Sequence, residues 1–134
     1  VIGYKLIQEM GVREVLVENG GDLFLHAQRD LTVAVYAGDS PFSNKIGLRL
    51  GRSELPLGVS TSAGRVGHAL SFGQADAVVV KAKSASLADA YATSLGNLVK
   101  KAEDIKQVLS MLLGVIIICE GKLGVWGEMT LVKI

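Results

Sequence analysis

A short apolar run followed by a stretch of small residues constrains the fold of this chain more than any other feature. Residues 77–80 read Ala-Val-Val-Val, which is typical of a buried strand, and residues 84–97 then show helical spacing. Positions four apart lie on one face of a helix, so Asp89, Thr93 and Asn97 form a polar stripe. Their oxygens are hard donors, and the stripe is therefore a candidate site for a cation or a phosphate.

The same segment also has a purely structural interpretation. Ser86 and Asp89 match the capping-box pattern, in which Ser86 is the N-cap and Asp89 lies three residues later. An acidic residue in the first turn is also favoured by the helix dipole. The two interpretations are compatible only where one carboxylate oxygen of Asp89 stays available to a ligand.

Composition and charge limit the classes of protein to consider. The 134 residues are 49% hydrophobic and 20% charged, which is typical of a globular chain, and we expect one domain over residues 1–134. A net charge of +1 and an aromatic content of 5% do not favour nucleic-acid binding. The longest apolar stretch, residues 111–119, is short against the roughly 20 residues of a bilayer span, so we expect no membrane partner.

The single cysteine and the start of the chain bear on its compartment. Cys119 cannot form an internal disulfide and lies in an apolar run, which predicts a buried, reduced thiol and a cytoplasmic protein. No signal-peptide pattern is present. Because the chain opens on Val1 and not on Met, the C-terminal part of a longer protein is one of the expectations.

Apolar runs and turn residues predict an α+β fold, mostly antiparallel sheet with two or three helices packed on one face. Residues 28–30 are the predicted turn between two antiparallel strands, and exposed strand edges favour a homodimer. The predicted helices cover 4–10, 84–97 and 103–113, and the predicted strands cover 12–18, 23–27, 32–37, 46–50, 55–59, 75–82, 115–119, 123–126 and 130–134.

The segment Asn19-Gly20-Gly21-Asp22 has two interpretations. Asn and Gly tolerate positive φ, so a tight hairpin turn is expected. Alternatively, consecutive glycines let a ligand reach the backbone amides, and Asp22 could hold a ribose or amide group. The spacing differs from the Gly-x-Gly-x-x-Gly dinucleotide fingerprint, which disfavours a Rossmann fold.

A second polar segment follows the strand at 55–59. Ser60, Thr61 and Ser62 precede two glycines and Arg65, and such a loop could bind an anion through hydroxyls, amides and the guanidinium. A Ser/Thr-rich turn with a surface Arg65 is the structural alternative. His68 is a candidate proton shuttle or ligand, or a hydrogen-bonded structural residue.

Three motifs occur in a fixed order and resemble those of the ApbE-like flavin transferase superfamily. That superfamily carries an Asn-x-Gly-Gly-Asp turn, an Ile-Ser-Thr-Ser-Gly strand end and an Ala-Asp-Ala-x-Ala-Thr helix. Residues 17–22 read Val-Glu-Asn-Gly-Gly-Asp, residues 59–64 Val-Ser-Thr-Ser-Ala-Gly, and residues 87–93 Leu-Ala-Asp-Ala-Tyr-Ala-Thr. The segment 66–76, Val-Gly-His-Ala-Leu-Ser-Phe-Gly-Gln-Ala-Asp, resembles a poorly characterised branch of the superfamily.

The resemblance implies an ApbE-like fold, FAD and Mg²⁺. Such enzymes move the FMN part of FAD to a Thr or Ser hydroxyl of an acceptor protein and release AMP. It implies Asp89 and Thr93 as metal ligands, and His68 is the candidate catalytic residue. It also implies that the segments 19–22 and 60–62 line the cofactor site, to which the anion-loop argument adds Arg65.

The chain departs from the transferase pattern in two places. The Asp-Pro-x-Thr-Gly segment is missing after His68, and the Lys and Asp of the superfamily's Lys-Gly-Tyr-Ala-Val-Asp segment are replaced by Ile2 and Ile7. Two alternatives therefore stand beside transfer of FMN. One is a non-catalytic module that binds a flavin or another phosphorylated small molecule, and the other is a structural assembly domain.

Overall fold

A computed structural model of the chain describes residues 2–62, 75–98, 112–119 and 121–134, and for residues 96–98 it describes the backbone alone. The two described α-helices are α1 (Ile2–Met10) and α2 (Ala85–Leu98), and one 3-10 turn covers Arg52–Glu54. The described strands are β1 (Val15–Asn19), β2 (Asp22–His26), β3 (Leu31–Ala34), β4 (Ile46–Leu50), β5 (Leu57–Ser62), β6 (Ala77–Ala82), β7 (Gly114–Cys119), β8 (Lys122–Gly127) and β9 (Thr130–Lys133).

The described strands form two antiparallel sheets. The larger sheet has six strands in the order β1-β2-β5-β6-β7-β8, and the smaller has three in the order β3-β4-β9. Every pairing in both sheets is antiparallel. The prediction of an α+β fold with a mostly antiparallel sheet is confirmed.

The six-stranded sheet is the middle of three layers. On one face, Val59, Val79 and Ile116 pack against Leu48 and other residues of the small sheet. On the other face, Val78 and Val80 pack against residues of α2. All six residues of β6 are buried because this strand is covered on both faces, which explains the apolar run at residues 77–80.

Both helices lie on the same face of the large sheet, as predicted. Near the start of α1, the ring of Tyr4 meets the ring of Phe24 on β2 with centroids 4.9 Å apart. A Cβ at Gly3 would overlap this Phe24 ring, so the close packing of α1 on the sheet depends on glycine there. The Tyr4 hydroxyl also donates a hydrogen bond of 3.2 Å to the Lys83 carbonyl, which ties α1 to the chain just before α2.

One predicted strand pairing is wrong, although both strands exist. Residues 28–30 do not form a hairpin between β2 and β3, because β3 pairs with β4 in the smaller sheet. Strand β9 follows β8 in the chain but also pairs with β4. An alternating apolar pattern predicts extended backbone, whereas the partner depends on which sheet buries the apolar side chains.

An ion pair between a buried lysine and a partly exposed glutamate lies on the face of β6 that carries Val79. Lys81 is only 1% exposed, and its ammonium donates to Glu54 Oε1 at 2.6 Å and to the Glu128 carbonyl. Burial alone would raise the pKa of Glu54. The hydrogen bonds from Lys81 and the Gly51 amide, together with the lysine charge, instead hold that pKa below its ordinary value of 4.5.

Three further expectations concern single segments. The predicted helix at 103–113 lies almost entirely outside the described residues. Cys119, predicted to be buried, is half-buried at the end of β7. None of the described helices is long and apolar enough to span a bilayer.

Candidate functional site

A groove of about 370 Å³ lies on the helix-covered face of the large sheet, between the start of α1 and the start of α2. We call it the α1–α2 groove. Its polar side chains come from the Asn-Gly-Gly-Asp turn and from α2, and its apolar ones from α1, β1 and β2. The lining residues are Ile2, Gly3, Val17, Asn19, Asp22, Phe24, Ala85, Ser86 and Asp89.

The turn at residues 19–22 is a two-residue β-hairpin, which confirms that interpretation of the sequence. Asn19 and Asp22 are directly paired, and Gly20 and Gly21 between them have φ values of +59° and +97°. Positive φ at both central positions is what such tight hairpins require, and glycine adopts it without strain. The turn therefore places the Asn19 and Asp22 side chains side by side in the groove.

Ser60 joins the second motif to the first. It pairs with Asp22 across β2 and β5, it is 2% exposed, and its hydroxyl donates a hydrogen bond to Asp22 Oδ1. The expectation that Ser60, Thr61 and Ser62 form a loop of three hydroxyls is wrong, because all three belong to β5. Successive side chains on a strand point to opposite faces, so Thr61 faces away from Asp22.

The start of α2 differs from the predicted capping box. The Ser84 hydroxyl accepts a hydrogen bond of 3.2 Å from the Leu87 amide, and the Ser84 carbonyl accepts the Ala88 amide at 3.1 Å. Ser84 is therefore the N-cap, and the assignment of Ser86 as the cap is wrong by two residues. Asp89 consequently lies in the second turn, and no described residue holds its carboxylate in a cap.

Gly58 allows α2 to come close enough to the sheet to form the groove. It lies two residues before Ser60, on the same face of β5, and a Cβ there would overlap the backbone of Ser84 and Ala85. With the helix start resting directly on β5, Asp89 on the next turn faces the same groove as Asp22. The third motif thus meets the first two in space.

Burial of Asp22 dominates the electrostatics of the groove, and the charge of a second carboxylate, Asp89, adds to it. Burial raises the pKa of Asp22 above its ordinary value of 3.8, and the negative charge of Asp89 adds to the rise, while the hydrogen bond from Ser60 opposes it. No Lys, Arg or His is among the described residues that line the groove. A cation bound between the carboxylates would offset their repulsion.

The oxygen donors of the groove fit a Mg²⁺ ion whose remaining ligand positions are filled by a phosphorylated ligand. Within the described ranges, no cluster of three or more His, Cys, Asp or Glu side chains is placed to hold a metal alone. Mg²⁺ is commonly held by one or two carboxylates together with substrate phosphates and water, which is the arrangement Asp22 and Asp89 could offer. Asn19 adds an amide at the rim.

Other residues singled out in the sequence lie elsewhere. Thr93 is an exposed residue of α2 one turn beyond Asp89 and is not among the described groove-lining residues. Ser62 is half-buried at the end of β5. Arg65 and His68 lie outside the described residues, and so does the side chain of Asn97.

Sequence reasoning missed the apolar half of the groove. Val17 and Phe24 are cross-strand partners on β1 and β2, and together with Ile2 they form a wall beside the polar side chains. The signal was present in β2, where Asp22 and Phe24 are two residues apart and so share a face. The contribution of α1 had no such signal, because only tertiary packing places Ile2 over the sheet.

Comparisons with known proteins place these features in a family. The family described as AbpE bacteria matches residues 1–113. UPF0280 protein MJ1526 of Methanocaldococcus jannaschii is 35% identical over a 142-residue alignment, and UPF0280 proteins of Methanococcus aeolicus and Methanothermobacter thermautotrophicus are 44% and 47% identical over 114 and 98 residues. These alignments cover 95%, 75% and 73% of the chain but only 57%, 46% and 38% of the relatives, so the chain spans about half of their length or less.

Proposed function

This chain belongs to the family described as AbpE bacteria, and from that premise we propose that it is a Mg²⁺-dependent transferase of FMN. The substrate is FAD, and the acceptor is a Thr or Ser hydroxyl of a protein. This is the activity implied by the resemblance of the three motifs to those of ApbE-like flavin transferases. We assign the activity to the α1–α2 groove, which residues of the first and third motifs line and beneath which Ser60 of the second motif lies.

One observation carries the proposal. Asp22 and Asp89 are 67 positions apart in the sequence, yet both line one groove without a described cationic side chain beside them. Two carboxylates that repel each other are costly unless a proton or a cation offsets the charge. A divalent cation with a pyrophosphate would satisfy both the carboxylates and the remaining ligand positions.

The residues of the groove have distinct roles in this proposal. Asp89 and Asp22 hold Mg²⁺. Thr93, the other metal ligand that the resemblance implies, lies one turn away from Asp89 on α2. Bound Mg²⁺ neutralises charge on the pyrophosphate. Asn19 contacts the ligand through its amide, and the wall formed by Ile2, Val17 and Phe24 takes an apolar part of it.

The transfer itself exchanges one P–O bond for another. The acceptor hydroxyl oxygen bonds to the phosphorus of the FMN part as the bond from that phosphorus to the AMP oxygen breaks. AMP leaves with the bonding electron pair, and the hydroxyl proton passes to a base, for which His68 is the candidate in this sequence. Positioning and charge neutralisation supply most of the catalysis in such reactions.

A non-catalytic module that binds a flavin or a nucleotide phosphate is the second candidate. Two observations favour it: the missing Asp-Pro-x-Thr-Gly segment, and the absence of a three-ligand metal cluster in the described part of the chain. In this case the same groove would bind the ligand. No AMP would be formed.

The test is a thermal-shift titration of the full chain with FAD, with and without Mg²⁺. Ligand at 100 times its Kd should add about 2.7 kcal/mol to the free energy of unfolding. We expect a Mg²⁺-dependent stabilisation that is lost in Asp89→Ala and kept in Asp39→Ala, a control with an exposed loop aspartate. AMP release and a covalently flavinylated acceptor distinguish the transferase from the binding module. The absence of any FAD shift in the wild-type chain would exclude the transferase and a flavin-binding module.

A further inference from the structure

Ser60 has a geometry that differs from that of a residue in contact with a ligand. Its side chain is almost completely buried, at 2% exposure, beneath the groove. It is not among the residues that line the groove, whereas its partner Asp22 is. Its hydroxyl proton is already donated to Asp22 Oδ1.

The backbone explains why this hydrogen bond is well defined. Ser60 and Asp22 are directly opposite each other in the antiparallel pair of β2 and β5, where Cβ atoms are about 4.5–5.5 Å apart. Ser60 is held in place by the strands on both sides, because β5 also pairs with β6. Asp22 is also paired on both sides, but its side chain is only half-buried, whereas Ser60 is 2% exposed. The carboxylate of Asp22 therefore has more freedom to rotate than the hydroxyl of Ser60.

The geometry points to Ser60 as a positioning residue for the cation site of the α1–α2 groove, an inference that rests on the proposed function. Ser60 holds Oδ1 of Asp22 and would thereby leave Oδ2 as the oxygen available to a cation held together with Asp89. It makes no contact with the flavin or its phosphates. Ser60 of the Ser-Thr-Ser motif therefore acts on the site by orienting Asp22 and does not bind the ligand itself.

Gly58 and Ser60 act together in this arrangement. Both lie on the same face of β5 beneath the start of α2, where Gly58 lets the helix backbone rest on the strand. Ser60 then fixes the carboxylate on the sheet side of the groove, while the helix supplies Asp89 from the other side. One strand, β5, thus contacts both the carboxylate of Asp22 and the start of the helix that carries Asp89.

The experiment measures the Mg²⁺ dependence of FAD binding in the full chain for Ser60→Ala and Ser60→Cys. Alanine removes the donor, and cysteine keeps a similar volume but donates only weakly. Loss of a residue that orients a metal ligand typically lowers metal affinity 10–100-fold, so we expect the half-saturating Mg²⁺ concentration to rise by about 10-fold or more. FAD affinity without Mg²⁺ is expected to stay at the wild-type value.

Two controls separate positioning from general stability. Ser43→Ala removes a partly buried hydroxyl that accepts the Ala37 amide at 2.9 Å, far along the chain from the groove residues, and should lower stability without changing the Mg²⁺ dependence. Ser60→Thr keeps the hydroxyl and should keep the Mg²⁺ dependence close to wild type. Loss of Mg²⁺ affinity in all three Ser60 variants, threonine included, would assign the effect to packing and overturn the inference.

The remaining outcomes are also distinguishable. A wild-type Mg²⁺ dependence in both Ser60→Ala and Ser60→Cys would overturn the inference and leave the proposed function intact. An equal loss of FAD affinity with and without Mg²⁺ would mean that Ser60 contacts the ligand, which also overturns it. If the wild-type chain shows no Mg²⁺-dependent FAD binding, the proposed function fails first and the inference fails with it.

Discussion

Two carboxylates on opposite sides of the large sheet show how differently this fold uses acidic residues. Asp22 and Glu54 each bond to a buried side chain of a neighbouring central strand, Ser60 on β5 and Lys81 on β6. Asp22 faces another acid, Asp89, and its pKa is raised, mainly by burial. Glu54 faces a lysine, and its pKa is lowered despite the opposing effect of burial.

The difference separates a structural contact from a candidate binding site. The pair of Lys81 and Glu54 is complete within the protein, since the ammonium also donates to the Glu128 carbonyl. The pair of Asp22 and Asp89 has an unbalanced negative charge that a bound cation would offset. Removing a residue from the first pair should therefore cost stability, and removing one from the second should cost ligand binding.

The largest expected effect is on stability at the ion pair. Glu54→Ala leaves the buried Lys81 ammonium without its carboxylate, and breaking such a pair typically costs about 3–5 kcal/mol. Lys81→Met removes the buried charge itself and leaves a carboxylate whose side chain is 34% exposed and can be hydrated, so its loss should be clearly smaller. Urea unfolding of both variants measures the two losses.

An exposed ion pair provides the matched control. Arg29 and Glu14 are 3.2 Å apart, with side-chain exposures of 70% and 49%. Glu14→Ala should change the free energy of unfolding by no more than about 1 kcal/mol. Equal losses in Glu54→Ala and Lys81→Met would show that burial of the lysine does not dominate the stability loss. The contrast between this ion pair and the groove carboxylates would then be wrong.

The next effect concerns the groove. Asp22→Asn and Asp89→Asn should remove the Mg²⁺-dependent stabilisation by FAD, about 2.7 kcal/mol at 100 times Kd. Without ligand, both variants should be at least as stable as the wild type, because each removes a like-charge repulsion, and in Asp22→Asn the new amide oxygen could still accept from Ser60. Chemical unfolding with and without FAD and Mg²⁺ provides both values, and a large loss of stability without ligand would class these acids as structural.

A smaller effect sharpens the position of Asp89. Ser84→Ala removes the N-cap of α2 and should cost about 0.5–2 kcal/mol. Ser86→Ala should stay within about 0.5 kcal/mol because its side chain is exposed and makes no cap. A larger stability loss in Ser86→Ala than in Ser84→Ala, measured by thermal or urea unfolding, would support the capping box of Ser86 and Asp89. The Asp89 carboxylate would then act in the cap and would not support a ligand site in the groove.

The smallest effect is a pH dependence of opposite sign at the two acids. The pKa of Asp22 is raised in the folded state, so stability should fall as pH rises from its ordinary value of 3.8 through the folded value. The pKa of Glu54 is lowered in the folded state, so its contribution is present above 4.5 and is lost as pH falls through the folded value. Unfolding curves across this range test both: Asp22→Asn should remove the first trend and Glu54→Gln the second.

Much of the local structure was predictable because it depends on residues close in sequence. Strand β4 has the predicted bounds, and the turn at Asn19–Asp22 follows from the positive φ that Gly20 and Gly21 accept. The N-cap was misplaced because Ser84 and Ser86 both suit a helix start. The hydrogen bonds of Ser84 identify it as the cap, at the point where the helix backbone contacts Gly58, a residue far away in the chain.

The candidate site was predictable only as a set of motifs. The resemblance grouped the segments that contain Asn19, Ser60 and Asp89, but no local pattern showed that Ser60 is buried under Asp22. Likewise, no local pattern shows that Lys81 is buried, and its partner Glu54 is 27 positions away. Such pairings depend on strand register and on which face of the sheet each side chain occupies.

The sequence by itself determined the elements, the tight hairpin and the order of the motifs, because hydrophobic period, glycine and cap chemistry act over a few residues. Only the tertiary structure decided that β3 and β9 form a second sheet with β4, that Asp22 and Asp89 share a groove, and that Ser60 donates its hydroxyl proton to Asp22. The physical reason is that burial and charge repulsion depend on distances in space, which the packing of α2 on β5 determines.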